Sequence, residues 1–211
     1  MSNIIALCGP DGTGKSTLAN AAKKHGFLVQ YGGKKSNHRL FFTMPVLSVY
    51  RILKNKRMDR AAYLYLNIVF YPVEYIENIL RVLDASKACK NGNNVIFDRF
   101  VIDRIWRSYL ETDYISPTSL LVSLFNFIYA FVYMNAFPKI DGYVFLLPPS
   151  DVIFERRPND YDSLQDCENI RSAYYKVAKY LENQGENVLI IENDLGMATT
   201  ECRFIEWFNS I

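Results

Sequence analysis

The segment Gly9-Pro-Asp-Gly-Thr-Gly-Lys-Ser16 constrains the fold of this chain more than any other feature of its sequence. It fits the pattern G-x-x-x-x-G-K-[ST], in which glycines let successive backbone N–H groups turn inward around phosphate oxygens. The apolar run at residues 3–8 precedes it and predicts a strand buried on both faces, while residues 16–24 predict a helix. This order of strand, loop and helix places phosphates at the positive end of the helix dipole.

The same pattern predicts ATP and Mg²⁺ as ligands. We expect Lys15 to contact the β- and γ-phosphates and the Ser16 hydroxyl to hold Mg²⁺. The alternative, a glycine-rich turn without a ligand, gives no reason for the flanking strand and helix. The residues predicted to bind the nucleotide are Asp11, Gly12, Thr13, Gly14, Lys15, Ser16 and Thr17.

Short apolar runs recur along the chain and alternate with helical segments. This alternation predicts the α/β class: a five-stranded parallel sheet with helices on both faces. Asp59 is a candidate cap for a long helical stretch that runs to about Ala88, and Pro72 should kink or divide it. The further predicted strands are 27–31, 94–97, 142–147 and 187–191, and the further predicted helices are 163–185, opened by a capping box, and 199–208.

Polar residues follow three of these apolar runs. They are the loop that starts at Gly9, the pair Asp98-Arg99, and the triplet Glu192-Asn193-Asp194. In parallel sheets, ligands bind beyond the carboxyl ends of the strands. We therefore expect all three groups to lie at the same edge of the sheet.

Length and charge limit the remaining classes of function. The 211 residues favour a single domain, residues 1–211. The formal charge of +2 predicts no general attraction to nucleic acid or to an anionic membrane, but it leaves room for a local basic site. Four widely separated cysteines without metal or redox spacing, and the absence of a signal-peptide pattern, favour a reducing, cytoplasmic location.

The segment 114–138 contains no charged residue and is mostly apolar from 120 to 137. We expect a helix buried in the core or in a dimer contact. A helix lying on a membrane surface and a membrane span are the alternatives, and a span would separate strands of one sheet. The dimer interpretation predicts a homodimer with Phe125, Tyr129 and Tyr133 at or near the contact.

Several motifs of the chain, in matching order, resemble the thymidylate kinase family of nucleoside monophosphate kinases. Gly9 to Thr17 resembles the phosphate loop of that family, and Asp98-Arg99-Phe100 resembles its Asp-Arg-aromatic motif. The stretch Tyr143-Val-Phe-Leu-Leu-Pro-Pro149 and the later Phe154-Glu-Arg-Arg157 resemble its fourth strand and arginine-bearing lid. Arg171-Ser-Ala-Tyr174 resembles the helix that follows.

The resemblance implies roles for the matching residues. Arg99 would hold the phosphate of the acceptor, and Asp98 would place Mg²⁺ or its waters. Arg156 or Arg157 would move over the phosphates as part of a lid near residues 154–166. The alternatives are a structural ion pair at Asp98 and Arg99, and plain solvated charge at Arg156 and Arg157.

The chain departs from the family on the acceptor side. The family has an arginine in the helix that lines the acceptor base, whereas the comparable stretch here is Val69-Phe-Tyr-Pro-Val-Glu74. The loop 32–39 also differs, and its Lys34, Lys35 and Arg39 either bind an anionic acceptor or are solvated. His38 is interpreted as a surface histidine.

Three functions remain in order of preference. The first is a kinase of a nucleoside monophosphate, with dTMP as the first candidate and a homodimer as the expected assembly. The second is a kinase of a non-nucleotide metabolite. The third is a nucleotide-dependent switch or binding module, but the chain lacks the Asn-Lys-x-Asp motif that GTPase switches usually carry.

Overall fold

A parallel sheet forms the centre of the molecule, and within the described residues it has five strands in the order β2-β3-β1-β4-β5. The computed structural model describes residues 2–31, 43–100, 102, 124, 127–128, 131–132, 137–192 and 196–211. Every strand pairing is parallel, which confirms the predicted sheet and brings the carboxyl ends of the strands to one edge. The strands are β1 (Ile4–Cys8), β2 (Phe27–Tyr31), β3 (Asn94–Asp98), β4 (Gly142–Leu146) and β5 (Val188–Ile191).

Helices cover both faces of this sheet, as predicted. Along β1, Ile5 and Leu7 pack toward one face, and Ile4, Ala6 and Cys8 pack toward the other, because successive side chains of a strand alternate. All of these side chains are buried, and Cys8 is the small buried residue that its strand predicted. The α-helices among the described residues are α1 (Lys15–Lys24), α2 (Thr43–Asn55), α3 (Asp59–Tyr65), α4 (Tyr71–Lys90), α5 (Ser150–Arg156), α6 (Leu164–Asn183) and α7 (Met197–Phe208).

The two faces have separate hydrophobic cores. One core joins the sheet to α1 and α7 through Leu18 and Phe204, and the other joins it to α4 and α6 through Val82 and Val177. All four side chains are almost completely buried. Burial of each contributes on the order of 1.5–3 kcal/mol, so these helices hold the strand ends, and the loops that follow them, in fixed positions.

The long helical stretch that starts at Asp59 is divided, as its proline predicted. α3 ends at Tyr65, a π-helical turn (Leu66–Phe70) follows, and α4 begins at Tyr71. Pro72 lies in the first turn of α4, where a missing N–H leaves no intrahelical hydrogen bond unmade. The prediction did not include α2, which precedes this stretch.

α6 begins as its capping pattern predicted. The backbone N–H of Asp166 donates to Ser163 Oγ at 3.1 Å. The Asp166 carboxylate accepts from the backbone N–H of Asp162 at 3.3 Å, one residue before the position that a full capping box uses. α5 and a short 3₁₀ turn (Pro158–Asp160) lead into this cap.

Two of the predictions lie outside the described residues. One is the apolar segment 114–138, of which only a few positions are described, so Phe125, Tyr129 and Tyr133 lie outside, as does the homodimer contact predicted there. The other is the loop with Lys34, Lys35, His38 and Arg39. Among the described residues, no helix combines the length and the apolar character needed to cross a bilayer.

Candidate active site

The loop after β1 has the backbone that a phosphate cradle requires. Gly9, Gly12 and Gly14 have φ angles of +141°, +90° and +95°, a region that side-chain-bearing residues rarely adopt. A Cβ atom at Gly9 would lie 2.4 Å from the carbonyl oxygen of Leu146 in β4. The loop therefore packs directly on the neighbouring strand end, and glycine is needed there for space as well as for conformation.

Lys15 is the buried cation of this loop. Its side chain is only 4% exposed, and Nζ donates to the carbonyl oxygens of Gly9 and Pro10, both at 2.5 Å. Nζ also lies 4.0 Å from Oδ1 of Asp11. The ammonium group is thus held inside the curve of the loop, where Lys15 was predicted to meet phosphates.

The hydroxyl residues of the loop separate into two kinds. Thr13 is completely buried, and its Oγ1 donates to the carbonyl oxygen of Pro10 at 3.0 Å, so it stabilises the loop. Ser16 and Thr17 are exposed in the first turn of α1. The Ser16 hydroxyl, the predicted ligand of Mg²⁺, is therefore accessible from solvent.

Asp98 ends β3 beside β1. Its Cα pairs in register with Leu7, two residues before the start of the phosphate loop. The carboxylate is buried, and no hydrogen-bond partner reaches its Oδ1 among the residues that the structure describes. A buried, unsatisfied carboxylate oxygen is costly, and such groups are expected where a ligand, a metal ion or an ordered water belongs.

Arg99 is held against the phosphate loop. Its guanidinium group forms an ion pair with the carboxylate of Asp11, 88 residues away in the chain. Its φ angle is +69°, a left-handed conformation that is uncommon for a residue with a side chain. Backbone strain of this kind clusters at functional sites, and here it turns Arg99 from the end of β3 toward the loop.

The segment predicted as a lid contacts the phosphate loop from the other side. Arg156 Nη1 lies 3.4 Å from the carbonyl oxygen of Gly12, at the long limit for a hydrogen bond. A Cβ atom at Gly12 would come within 2.9 Å of Cγ of Arg157. Both arginines are exposed to solvent, and both lie close to the loop. Neither is buried in an ion pair.

Tyr161 is a residue of the site that the sequence did not single out. Its hydroxyl donates to the carbonyl oxygen of Asp11 at 2.6 Å. Burial raises the pKa of the Tyr161 hydroxyl above its ordinary value, with smaller contributions from Cys167, Asp11 and Asp160, and this favours the protonated form that donates the hydrogen bond. The only signal in the sequence was its position inside the segment 154–166.

Arg171, which lies in a stretch that resembles the thymidylate kinase family, connects two strand ends. Nε donates to the carbonyl oxygen of Pro148 at 2.9 Å, and Nη2 donates to Oε1 of Glu192 at 3.1 Å. Glu192 follows β5, so the third predicted polar group begins at the same edge as the other two. Asn193 and Asp194 lie outside the described residues.

The donor atoms of this edge suit Mg²⁺. Asp98 and Ser16 offer oxygen ligands, which Mg²⁺ prefers, and the unsatisfied Oδ1 of Asp98 has capacity for one more partner. The described residues contain no group of three or more His, Cys, Asp or Glu side chains that could hold a metal by themselves. A magnesium ion in phosphoryl-transfer sites usually takes only one or two protein oxygens and completes its shell with phosphates and water.

Comparisons with known proteins agree on the architecture. No protein-family model matches the sequence, and no curated protein matches it as a relative. Among solved structures, deoxyadenosine kinase from M. mycoides with bound dATP is 17% identical, with a TM-score of 0.59 over 98% of this chain and 99% of that chain. The same enzyme with dCMP and dCDP is 19% identical, with a TM-score of 0.59 over 99% of this chain and 100% of that chain.

A second enzyme shares the architecture. Thymidylate kinase from Candida albicans is 16% identical, with a TM-score of 0.68 over 99% of this chain and 92% of that chain. At such low identities the likeness establishes the fold. The chain therefore has the fold of the P-loop nucleoside and nucleotide kinases.

Proposed function

We propose that the protein is an ATP- and Mg²⁺-dependent phosphotransferase that transfers the γ-phosphoryl group of ATP to a nucleoside monophosphate, with dTMP as the first candidate. The observation that carries the proposal is the ion pair between Arg99 and Asp11. It places the cation expected for an acceptor phosphate directly against the loop expected for the donor phosphates. Residues 1–211 would act as one kinase domain, with residues 154–166 as its lid.

The cations at this edge provide the catalytic groups of the proposal. Phosphoryl transfer depends mainly on positioning and on stabilisation of the charge that spreads over the transferred oxygens. Lys15 would exchange its bonds to the loop carbonyls for bonds to the β- and γ-phosphates. Arg156 or Arg157 would approach the same oxygens when the lid closes, since both already lie at Gly12.

Asp98 and Ser16 would hold the metal ion. Mg²⁺ supplies charge neutralisation for the β- and γ-phosphates when it is bound. The unsatisfied oxygen of Asp98 supports this assignment, because binding an ion or its water would satisfy that oxygen. Arg99 would leave Asp11 when a phosphate of the acceptor offers it a better-matched, doubly charged partner.

A second candidate acceptor has support from α4. Glu74 is partly buried and Glu77 is 3% exposed, and the two lie one turn apart on α4, in and beside the stretch where the resemblance predicts an arginine. Carboxylates accept hydrogen bonds from the amino groups of adenine or cytosine, and thymine has no such group. The M. mycoides deoxyadenosine kinase, whose structures contain dATP or dCMP, shares the fold. An amino-bearing deoxynucleoside or its monophosphate is therefore the second candidate.

An acceptor panel tests the proposal. ADP formation would be measured with ATP and Mg²⁺ against dTMP, dCMP, dAMP, the three corresponding deoxynucleosides and a phosphorylated sugar. The Lys15→Ala variant, purified in parallel, identifies activity from contaminating kinases. Turnover with dTMP supports the first candidate, and turnover with dCMP, dAMP or their nucleosides supports the second. Nucleotide binding without turnover on any acceptor would reject the phosphotransferase and favour a binding module.

We also propose that the protein acts as a cytoplasmic homodimer. The described cysteines are all free thiols, which suits a reducing compartment. Ile76, Leu80 and Leu83 form an exposed apolar stripe at helical spacing on α4. A two-fold contact needs only one self-complementary patch, and the resemblance to thymidylate kinases implies a dimer joined through helices. Sedimentation of the wild type, the Leu83→Glu variant and the Phe125→Asp variant tests this, and a wild-type monomer would reject it.

A further inference from the structure

α2 and the turn after it carry a concentrated positive charge. Residues 43–58 contain four basic and no acidic residues, although the whole chain has a formal charge of only +2. The four basic side chains are exposed. We call this group the basic segment, and its cations are Arg51, Lys54, Lys56 and Arg57.

The basic segment also exposes apolar side chains. Val49, Ile52 and Met58 are 41%, 52% and 48% exposed, respectively. Val49 and Ile52 lie one turn apart on the side of α2 that faces solvent. Tyr50 and Leu53 are partly buried, and α2 contacts α3 and the π-helical turn. The exposed surface of the basic segment thus carries both apolar and cationic side chains.

We propose that the basic segment docks on the surface of an anionic lipid bilayer. A helix that presents Lys and Arg beside exposed aliphatic side chains lies in the membrane interface, with the apolar groups inserted and the cations at the headgroups. The cytoplasmic leaflet carries anionic lipids, which attract such segments. Because the net charge of the whole chain is close to zero, the overall composition does not reveal this local concentration of basic residues.

Charge decides between a bilayer and a second copy of the chain. A two-fold contact through the basic segment would bring eight cations together without a carboxylate from either segment to offset them. The α4 stripe with Ile76, Leu80 and Leu83 has no such obstacle. A second copy therefore suits α4, and an anionic partner suits α2.

The apolar side chains decide between a bilayer and a nucleic acid. Phosphate contacts explain a cluster of Lys and Arg, and stacking on bases requires aromatic side chains. Among the side chains that the structure describes in the basic segment, the exposed large apolar residues are Val49, Ile52 and Met58, which have no aromatic ring. Aliphatic side chains gain little from nucleic acid and gain burial in the acyl chains of a membrane.

Vesicle co-sedimentation of the full-length protein tests the proposal. We expect binding to vesicles of equimolar phosphatidylcholine and phosphatidylglycerol, little binding to phosphatidylcholine alone, and weakening by salt. Arg51→Gln/Lys56→Gln should lower the partition coefficient about 30-fold, since each cation near an anionic surface is worth about 1 kcal/mol. Ile52→Ser should lower it about tenfold. Circular dichroism and ATP binding should stay normal in all variants, because these side chains are exposed and none of them belongs to the phosphate loop.

Matched controls separate the basic segment from general charge. Lys23→Gln/Lys24→Gln removes two exposed cations at the end of α1, and Leu164→Ser removes an exposed leucine of α6. Both should bind vesicles like the wild type. Equal losses in the α1 variant, or no preference of the wild type for the anionic vesicles, would overturn the proposal. Tight binding to a single-stranded oligonucleotide that is unaffected by Ile52→Ser would overturn it in favour of nucleic acid.

Discussion

The phosphate-loop side and the α2–α4 side of the molecule differ in how far their side chains are bound to other groups of the protein. On the loop side, Lys15, Asp11 and Tyr161 are joined by hydrogen bonds or ion pairs, and the chain passes between strand ends with almost no free space. On the α2–α4 side, side chains such as Ile52 and Leu83 remain exposed. The described groups of the loop side already bind one another, whereas the α2–α4 side exposes apolar and cationic side chains.

The difference separates the recognition of phosphate from the recognition of a particular substrate. A site made from backbone N–H groups and one lysine recognises phosphates, which all nucleotides share. The geometry of such a site tolerates few substitutions. In the proposed function, the acceptor and any docking partner would be recognised by side chains on helices, which can change without loss of the fold. If the two sides are independent, substitutions on one side should leave the properties of the other side unchanged.

The largest effect should come from Lys15→Ala. The substitution removes the cation from the β- and γ-phosphates, and we expect a loss of at least about 3 kcal/mol of transition-state stabilisation, more than 100-fold in kcat/KM. The fold should survive, because the loop geometry depends on its glycines. Lys24→Ala, an exposed lysine on the same helix, is the control and should be neutral. Full activity in Lys15→Ala would remove the loop from the mechanism.

Gly9→Ala should be the most damaging change to stability. It combines a left-handed conformation with a methyl group 2.4 Å from a backbone oxygen, and we expect a loss of about 2–3 kcal/mol in the free energy of unfolding. Gly185→Ala is the matched control, since φ is +79° there and nothing lies within 4 Å of the added atom. That variant should lose only about 1 kcal/mol. Equal midpoints in denaturant titrations of the two variants would contradict the tight packing of the loop.

Arg99→Lys tests the boundary between the two sides. A lysine keeps the charge but cannot reproduce a two-pronged bond to phosphate, so we expect a loss of about 2 kcal/mol in kcat/KM for the acceptor. The KM for ATP should change little. Arg203→Lys on the exposed face of α7 controls for the substitution itself. A parallel loss of ATP affinity would place Arg99 in the donor site or in the structural frame.

Tyr161→Phe should have the smallest effect. It removes the hydrogen bond from the lid to the carbonyl oxygen of Asp11 and retains the ring, so we expect about 1 kcal/mol, or roughly fivefold, in kcat/KM for ATP. Tyr175→Phe, an exposed tyrosine of α6, should behave as the wild type. If Tyr161→Phe leaves ATP kinetics unchanged, the contact does not hold the lid over the loop.

Local sequence patterns closely predicted the part of the fold around the phosphate loop. The first strand, the glycine loop and α1 lie where the sequence placed them, and so does the N-terminus of α6. Each of these features depends on residues a few positions apart, on glycine conformations and on capping bonds. The division of the helix near Pro72 was predictable for the same reason. Glycines, capping residues and prolines set the conformation of the neighbouring backbone, so their effects can be predicted directly from the sequence.

Some features could not be predicted because they depend on distant residues. The hydroxyl of Tyr161 reaches Asp11 across 150 positions of the chain, and Arg99 reaches the same residue across 88. α2 was not predicted either, although its described side chains divide into partly buried apolar residues and exposed, mostly polar ones, as in other surface helices.

The sequence is sufficient to predict a parallel sheet with a phosphate loop, since the strand pattern, the loop glycines and the helix start are patterns of neighbouring residues. Only the folded structure shows that Asp11 contacts both Arg99 and Tyr161, and that the basic segment exposes its cations together with aliphatic side chains. Such contacts are set by the packing of β1, β3 and α5 at one sheet edge. Packing depends on which residues are close in space. The positions of two residues along the chain do not show whether they will be in contact.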